Sequence, residues 1–249
     1  MTSMPILETR NLSKRFGGLR AVNDVSLSVS PGCVHGVIGP NGAGKTTLFN
    51  LITGEHRPSS GRVLFKGRDI TGRPPHAVTA AGIARKFQIT QVLTSLTVRD
   101  NVQLAVQRAE AGSMFRLLRK ADWSDRVDEV LNTIHLGPKA DAQAASLGHG
   151  ERQRLELGMV LATGAELLLL DEPTSGMSLE ERGEIGDLLR EISGNATVVI
   201  VEHDFPFIKR VADTVTVLDK GELIAQGTVR EIEADERVRD CYLGVDDHA

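Results

Sequence analysis

Gly39-Pro40-Asn41-Gly42-Ala43-Gly44-Lys45-Thr46 decides the reading of this chain. The stretch fits the pattern G-x-x-x-x-G-K-[ST], a loop whose backbone N–H groups wrap phosphate oxygens. Its four fixed positions match by chance in a chain of this length on the order of once in a hundred. The flanks supply the context that the mechanism needs. Cys33–Ile38 is a short apolar run of strand length, and from Thr46 onward Leu48, Phe49, Leu51 and Ile52 predict a helix that ends before Gly54. Gly42 and Gly44 let the backbone wrap closely, and the following helix adds its positive N-terminal end. Residues Gly39 to Thr47 are therefore the candidate cradle. Lys45 is expected to reach the β- and γ-phosphates of a nucleotide, and Thr46 to offer its hydroxyl to Mg²⁺.

Far downstream, four leucines, Leu167–Leu170, run into two acids, Asp171 and Glu172. A carboxylate at the end of a buried strand is costly unless something balances it. Mg²⁺ is the expected partner of Asp171, which makes Thr46 and Asp171 candidate metal ligands. Glu172 is then placed to polarise the water that attacks the γ-phosphate.

Composition narrows the partners. Formal net charge is −4, which argues against binding nucleic acid through its phosphate backbone. No apolar run approaches the roughly 18 to 20 residues of a membrane span. The opening MTSMPILETR has no basic segment followed by an apolar one, so no secretory signal is expected. Two cysteines, Cys33 and Cys241, give neither a disulfide framework nor metal-ligand spacing. Any membrane role is expected to come through another chain.

The rest alternates. Ala21–Ser30 carries Val22, Val25, Leu27 and Val29, as a strand would, and Arg62–Phe65 is another short strand. Val127, Val130, Leu131 and Ile134 predict a helix stopped by Gly137-Pro138. Glu151–Thr163 predicts a second helix, closed by Gly164. Ile185, Leu188, Leu189 and Ile192 predict a third, ended by Gly194. Thr197–Val201 is a β-branched strand, and Val215–Leu218 with Glu222–Ala225 flanks Lys220-Gly221 as a hairpin. Buried strands alternating with helices predict an α/β fold, a parallel sheet covered on both faces with a helical insertion.

Further segments stand in a telling order. Arg85-Lys86-Phe87-Gln88 follows the loop. Leu147-Gly148-His149-Gly150-Glu151-Arg152-Gln153 precedes the acidic strand. Asp171-Glu172-Pro173-Thr174-Ser175-Gly176 and Val201-Glu202-His203-Asp204 come after. Over essentially its whole length the chain resembles a nucleotide-binding subunit of an ABC transporter. That resemblance implies a P-loop NTPase (RecA-like) core with a mainly parallel sheet, an N-terminal antiparallel β subdomain and an inserted α-helical subdomain. Residues 1–90 and 160–249 would form the core, and 91–159 the helical part. It implies ATP and Mg²⁺ as ligands and hydrolysis of ATP to ADP and phosphate. Gln88 looks like the glutamine that senses the metal beside the membrane subunit. His203 looks like the switch histidine on the γ-phosphate, and Phe16 like the aromatic that stacks on adenine. The segment of Leu147, His149 and Gly150 looks like the signature that contacts the nucleotide of an opposite cassette, with Gly150 presenting its N–H at a helix start.

The departures point to one subgroup. Gly148 and His149 stand where serine and glycine are usual, Ser178 where aspartate is usual, and Phe16 where tyrosine is more frequent. Together with Leu155-Glu156-Leu157-Gly158-Met159 and Cys241-Tyr242-Leu243-Gly244, they are similar to the ATPases of branched-chain amino acid and urea or amide importers. The resemblance implies two membrane-spanning permease subunits and a second ATP-binding subunit, either a different chain or a second copy. It also implies a periplasmic solute-binding protein, and a peripheral place on the cytoplasmic side of the bacterial inner membrane. Val92, Leu93 and Leu96 are candidates for a groove that takes a permease helix. An exporter motor is the main competitor. A small-molecule kinase leaves the signature unexplained. A cassette of translation or DNA repair would bring a second cassette or a long coiled coil.

Overall fold

The computed structural model describes residues 4–85, 92–110 and 123–240. The strands are β1 (Leu7–Phe16), β2 (Leu19–Val25), β3 (Ser28–Val29), β4 (Val34–Ile38), β5 (Ser60–Phe65), β6 (Arg68–Asp69), β7 (Ile83–Arg85), β8 (Leu167–Asp171), β9 (Thr197–Val201), β10 (Thr214–Asp219) and β11 (Glu222–Thr228). The helices that matter below are α1 (Lys45–Ile52), α2 (Pro75–Ala80), α3 (Val98–Glu110), α4 (Ser124–Thr133), α5 (His149–Leu161), α6 (Leu179–Ser193) and α7 (Phe205–Val211). One sheet has the order β11-β10-β4-β9-β8-β7. It is parallel from β10 through β7, and β11 returns antiparallel as the hairpin expected around Lys220-Gly221. The other sheet, β2-β1-β5-β6 with β3 on β1, is antiparallel.

The four leucines show how the parallel sheet is covered. Successive side chains leave a strand on opposite faces. Leu168 and Leu170 share one core with Val198 and Ile200, while Leu167 and Leu169 share another with Val199 and Val201. Helices α3 to α6 fill the first core, through residues such as Val102, Leu131, Leu155 and Leu188. Helix α1 and the antiparallel sheet fill the second, through Leu48, Phe49, Leu12 and Val63. A strand buried on both faces reads as a continuous apolar run, which is why this one was visible in sequence.

Two expectations about elements change. Ala21–Ser30 is not one strand: β2 ends at Val25 and β3 takes up at Ser28. Asp24 sits at φ 57°. The Thr9 hydroxyl donates to Val25 O at 2.9 Å and accepts from the Leu27 N–H at 3.0 Å, so a side chain bridges the break. The second predicted helix starts at His149 rather than Glu151, because Gly148 is its N-cap and the Glu151 carboxylate reaches back to the Gly148 N–H at 3.2 Å.

Register positions the site. Arg85 lies opposite Leu169, Asp171 opposite Val201, and Val37 also opposite Val201. Parallel strands end on the same edge, and in open α/β sheets that carboxyl edge is where ligands bind. Gly39, Arg85, Asp171, Glu202 and His203 all follow or end such strands.

Candidate functional site

The cradle is built from left-handed backbone that favours glycine. Gly39, Gly42 and Gly44 have φ of 150°, 82° and 97°. A Cβ on Gly39 would sit 2.0 Å from Leu218 O, and one on Gly44 2.4 Å from Ala21 O. The loop is thus pressed between β10 and β2, and α1 starts directly at Lys45. Lys45 is buried, and its Nζ donates to Gly39 O at 2.6 Å and to Pro40 O at 3.0 Å. Burial pushes its pKa down, against the attraction of Glu172 and Asp171. Thr46 is exposed in the first turn of α1, and Thr47 is half-buried.

Across the edge, Asp171 has a partner that sequence reasoning missed. The sequence reading looked to Mg²⁺ alone to balance this carboxylate. Here Arg85, at the end of β7, donates from Nη2 to Asp171 Oδ2 at 2.9 Å and from Nη1 to Asn50 Oδ1 on α1 at 2.5 Å. The guanidinium also lies 5.6 Å from the Phe49 ring centroid. Losing one member of a buried pair of this kind costs about 3 to 5 kcal/mol. A lone arginine in the apolar strand Ile83–Arg85 was the available signal.

Glu172 and His203 come together. His203 Nδ1 is 3.9 Å from Glu172 Oε1 and 3.8 Å from Glu202 Oε2. Glu172 has φ 46°, a left-handed backbone that is uncommon outside glycine, and its N–H is fixed on Val201 O at 2.9 Å. Glu202, also missed, is completely buried. It accepts from the Thr174 N–H at 3.1 Å and from the Thr174 hydroxyl at 2.6 Å, which ties the loop after Glu172 to the end of β9.

The segment read as the signature lies at the start of α5. Leu147 is buried and His149 exposed. The Gly150 N–H, expected to face outward, donates to Glu181 Oε1 on α6 at 3.1 Å, and His149 Nε2 lies 3.3 Å from Ser175 O. Ser178 caps α6: its hydroxyl accepts the Glu181 N–H at 3.3 Å, and its own N–H donates to Glu181 Oε2 at 2.9 Å. These Ser178 bonds hold the Glu181 carboxyl below the usual carboxylate range.

Phe16 ends β1 and is 43% exposed. Its ring meets His56 edge-on at 5.3 Å, and Lys14 Nζ lies 5.0 Å from its centroid. Phe16 pairs with Leu19 in the hairpin whose Ala21 abuts the phosphate loop. Gln88 lies outside the described residues, as does the Cys241–Gly244 segment. Val92 packs on the first core, while Leu93 is exposed and Leu96 half-buried. A surface cavity of about 580 Å³ between Phe65, Lys66, Arg73 and Glu166 includes none of the candidate residues.

The family described as ABC transporter matches residues 22–175, and the one described as Branched-chain amino acid ATP-binding cassette transporter matches residues 222–248. A high-affinity branched-chain amino acid transport ATP-binding protein, LivG of Escherichia coli strain K12, is 34% identical, covering 97% of this chain and 99% of that protein. A probable branched-chain amino acid transport ATP-binding protein of Archaeoglobus fulgidus is also 34% identical, over 98% of this chain and 97% of its own length. Among solved structures, an ATP-binding cassette of an ABC transporter in its ADP conformation superposes with a TM-score of 0.84. Its identity is 31%, over 97% of this chain and all of that one. A nucleotide-free cassette gives a TM-score of 0.81 at 31% identity, over 96% and 99%.

Proposed function

The chain belongs to the ABC transporter family, in its branched-chain amino acid branch, and is an ATP-hydrolysing, ATP-binding subunit of a transporter; from that premise we propose that it powers uptake of branched-chain amino acids or related small polar solutes. The observation that carries the substrate class is the likeness over 97% of the chain to an ATP-binding protein of branched-chain amino acid transport, joined by the matching segment at 222–248. The partners in this reading are two membrane-spanning subunits, a second ATP-binding subunit and a periplasmic binding protein. The chain itself lies on the cytoplasmic side of the inner membrane. Among the described residues no helix is long and apolar enough to cross a membrane.

The proposed roles draw support from the site geometry and, for Gln88, from the family resemblance alone. Lys45 leaves the carbonyls of Gly39 and Pro40 for the β- and γ-phosphates, which the N–H groups from Asn41 to Thr47 surround. Phe16 covers the adenine. The Thr46 hydroxyl and the Asp171 carboxylate are hard oxygen donors. Among the described residues no group of three or more His, Cys, Asp or Glu could hold an ion alone. That suits Mg²⁺, which is commonly held by one or two protein oxygens together with substrate phosphates. When bound it neutralises charge that develops on the phosphates. Glu172 orients the attacking water and accepts its proton, and His203 bonds the γ-phosphate from the adjoining strand end. Gln88 would offer a further oxygen to the ion and link the site to the membrane subunits. Leu147, His149 and Gly150 close on the nucleotide of the second cassette, so that ATP glues the two and its hydrolysis lets them part.

The test is to isolate the full chain with its membrane partners, identify them by mass spectrometry, and measure solute uptake into vesicles. ATP-dependent leucine uptake supports the reading. Uptake of urea or an amide without leucine would move the substrate to that alternative, and ATP-driven extrusion would replace import with export.

A further inference from the structure

We propose that Arg85 is a positioning residue for ATP hydrolysis, aiming the Asp171 carboxylate at the site where Mg²⁺ meets the nucleotide. The proposal rests on the reading of Asp171 as a metal ligand and names a residue that acts through it. Three fixed points carry it. Arg85 holds Asp171 by one oxygen only, Oδ2 at 2.9 Å, which leaves Oδ1 for the metal. Its other terminal nitrogen is anchored on Asn50, five residues past Lys45 on the helix that leaves the phosphate loop. Its flat group is backed by the Phe49 ring at 5.6 Å. The side chains of Arg85 and Asp171 are only 8% and 15% exposed, so water does not loosen the pair.

The carboxylate is therefore set relative to the phosphate loop by a rigid planar bridge instead of by its own strand alone. Outer partners of this kind fix the orientation of metal ligands, and their loss weakens metal affinity about 10- to 100-fold. A guanidinium suits the task because it spans two acceptors in one plane, and an ammonium does not. Arg85 also ends β7, three residues before Gln88, so the segment expected to face the membrane subunits starts at this bridge.

A purely structural ion pair would give the same burial. It would lower stability and nucleotide affinity alike, with or without metal. A positioning role changes the ratio. The experiment is calorimetric titration of the full chain with a non-hydrolysable ATP analogue, with Mg²⁺ and with chelator, for wild type, R85K, N50A and D171N. R85K keeps the charge and N50A leaves the pair itself intact, so thermal melting is expected to show both folded. In R85K the affinity without metal stays within about 2-fold of wild type, while the gain given by Mg²⁺ shrinks about 10-fold. N50A shows a smaller loss of the same gain. If R85K and N50A keep the full gain while D171N loses it, Arg85 has no positioning role and Asp171 remains a ligand. If D171N keeps the gain too, the metal reading of Asp171 itself is wrong, and the proposal goes with it.

Discussion

The phosphate loop and the signature segment are both glycine-rich turns leading into a helix, yet their glycines answer to different demands. At Gly39 and Gly44 a side chain would collide with neighbouring backbone at 2.0 and 2.4 Å, and both φ values are positive. At Gly150 the nearest obstacle is the Glu181 carboxylate, 2.9 Å from where a Cβ would stand, the far end of a flexible side chain. The cradle's shape is thus fixed by the core packed around it. The signature's N–H is held by a carboxylate that can swing away. One half of the machinery is made within the chain. The other is parked against α6, and in the proposed reading an incoming phosphate would have to displace Glu181 from it.

The largest effect should fall on the fixed half. Glu172→Gln leaves the loop and Asp171 in place and removes the proton acceptor, so Mg-ATP binding persists while steady-state turnover falls about 10²- to 10⁴-fold. Normal turnover in that variant would remove Glu172 from the base role. It would also leave the left-handed backbone at this residue without a chemical reason.

How much of this was legible depended on whether the signal was local. The loop pattern, the leucine run and Thr197–Val201 each carry their signal in consecutive residues, and each became the expected element. Strand β1 was not read as a strand. Asn11 at φ 47° breaks its register between Arg10 and Ser13, and its polar residues blur the alternation. The Arg85–Asp171 bond joins residues 86 apart through the β7–β8 register, and no spacing rule carries that information. Glu202 was similarly hidden: a polar residue after an apolar strand reads as surface, and only the Thr174 contact shows why it is buried. In the signature the sequence displayed a helix start but not the Glu181 that holds it.

Acid should separate the two halves. His35 lies on β4, the strand that feeds the cradle, completely buried with its nitrogens 2.7 Å from the Thr214 hydroxyl and 2.9 Å from the Thr216 hydroxyl. Burial pushes its pKa down to about 4. The unfolded chain, with a histidine pKa near about 6.5, takes up the proton first. The contribution of neutral His35 is therefore complete above about pH 6.5 and is lost as pH falls toward 4, up to about 3 kcal/mol. Denaturant melts from pH 7 to 4 should show that slope in wild type and a flatter one in His35→Gln. Equal slopes would place the acid sensitivity elsewhere. Hydrogen exchange should find the cradle sheet loosening before α5.

Lys45→Ala should weaken nucleotide binding about 10- to 100-fold, the loss of one or two charge-assisted hydrogen bonds. The change also frees the carbonyls of Gly39 and Pro40, so calorimetry with and without Mg²⁺ should show the loss in both. Unchanged affinity would contradict the cradle assignment and erase the contrast with the signature.

The smallest effect tests the parked half. Ser178 stands where aspartate is usual, and in the sequence that departure served only as one pointer to a subgroup. In the fold Ser178 is the N-cap of α6 and the clamp on Glu181, the residue that holds Gly150. Ser178→Ala should cost about 1 kcal/mol of stability, the usual loss of a cap. Ser178→Asp keeps an acceptor at the cap and should melt close to wild type. If both melt lower by the same amount, capping is not what Ser178 supplies. If Ser178→Ala melts lower and also dimerises with ATP more readily, the loosened Glu181 has released the Gly150 N–H, and the cap and the signature are one device.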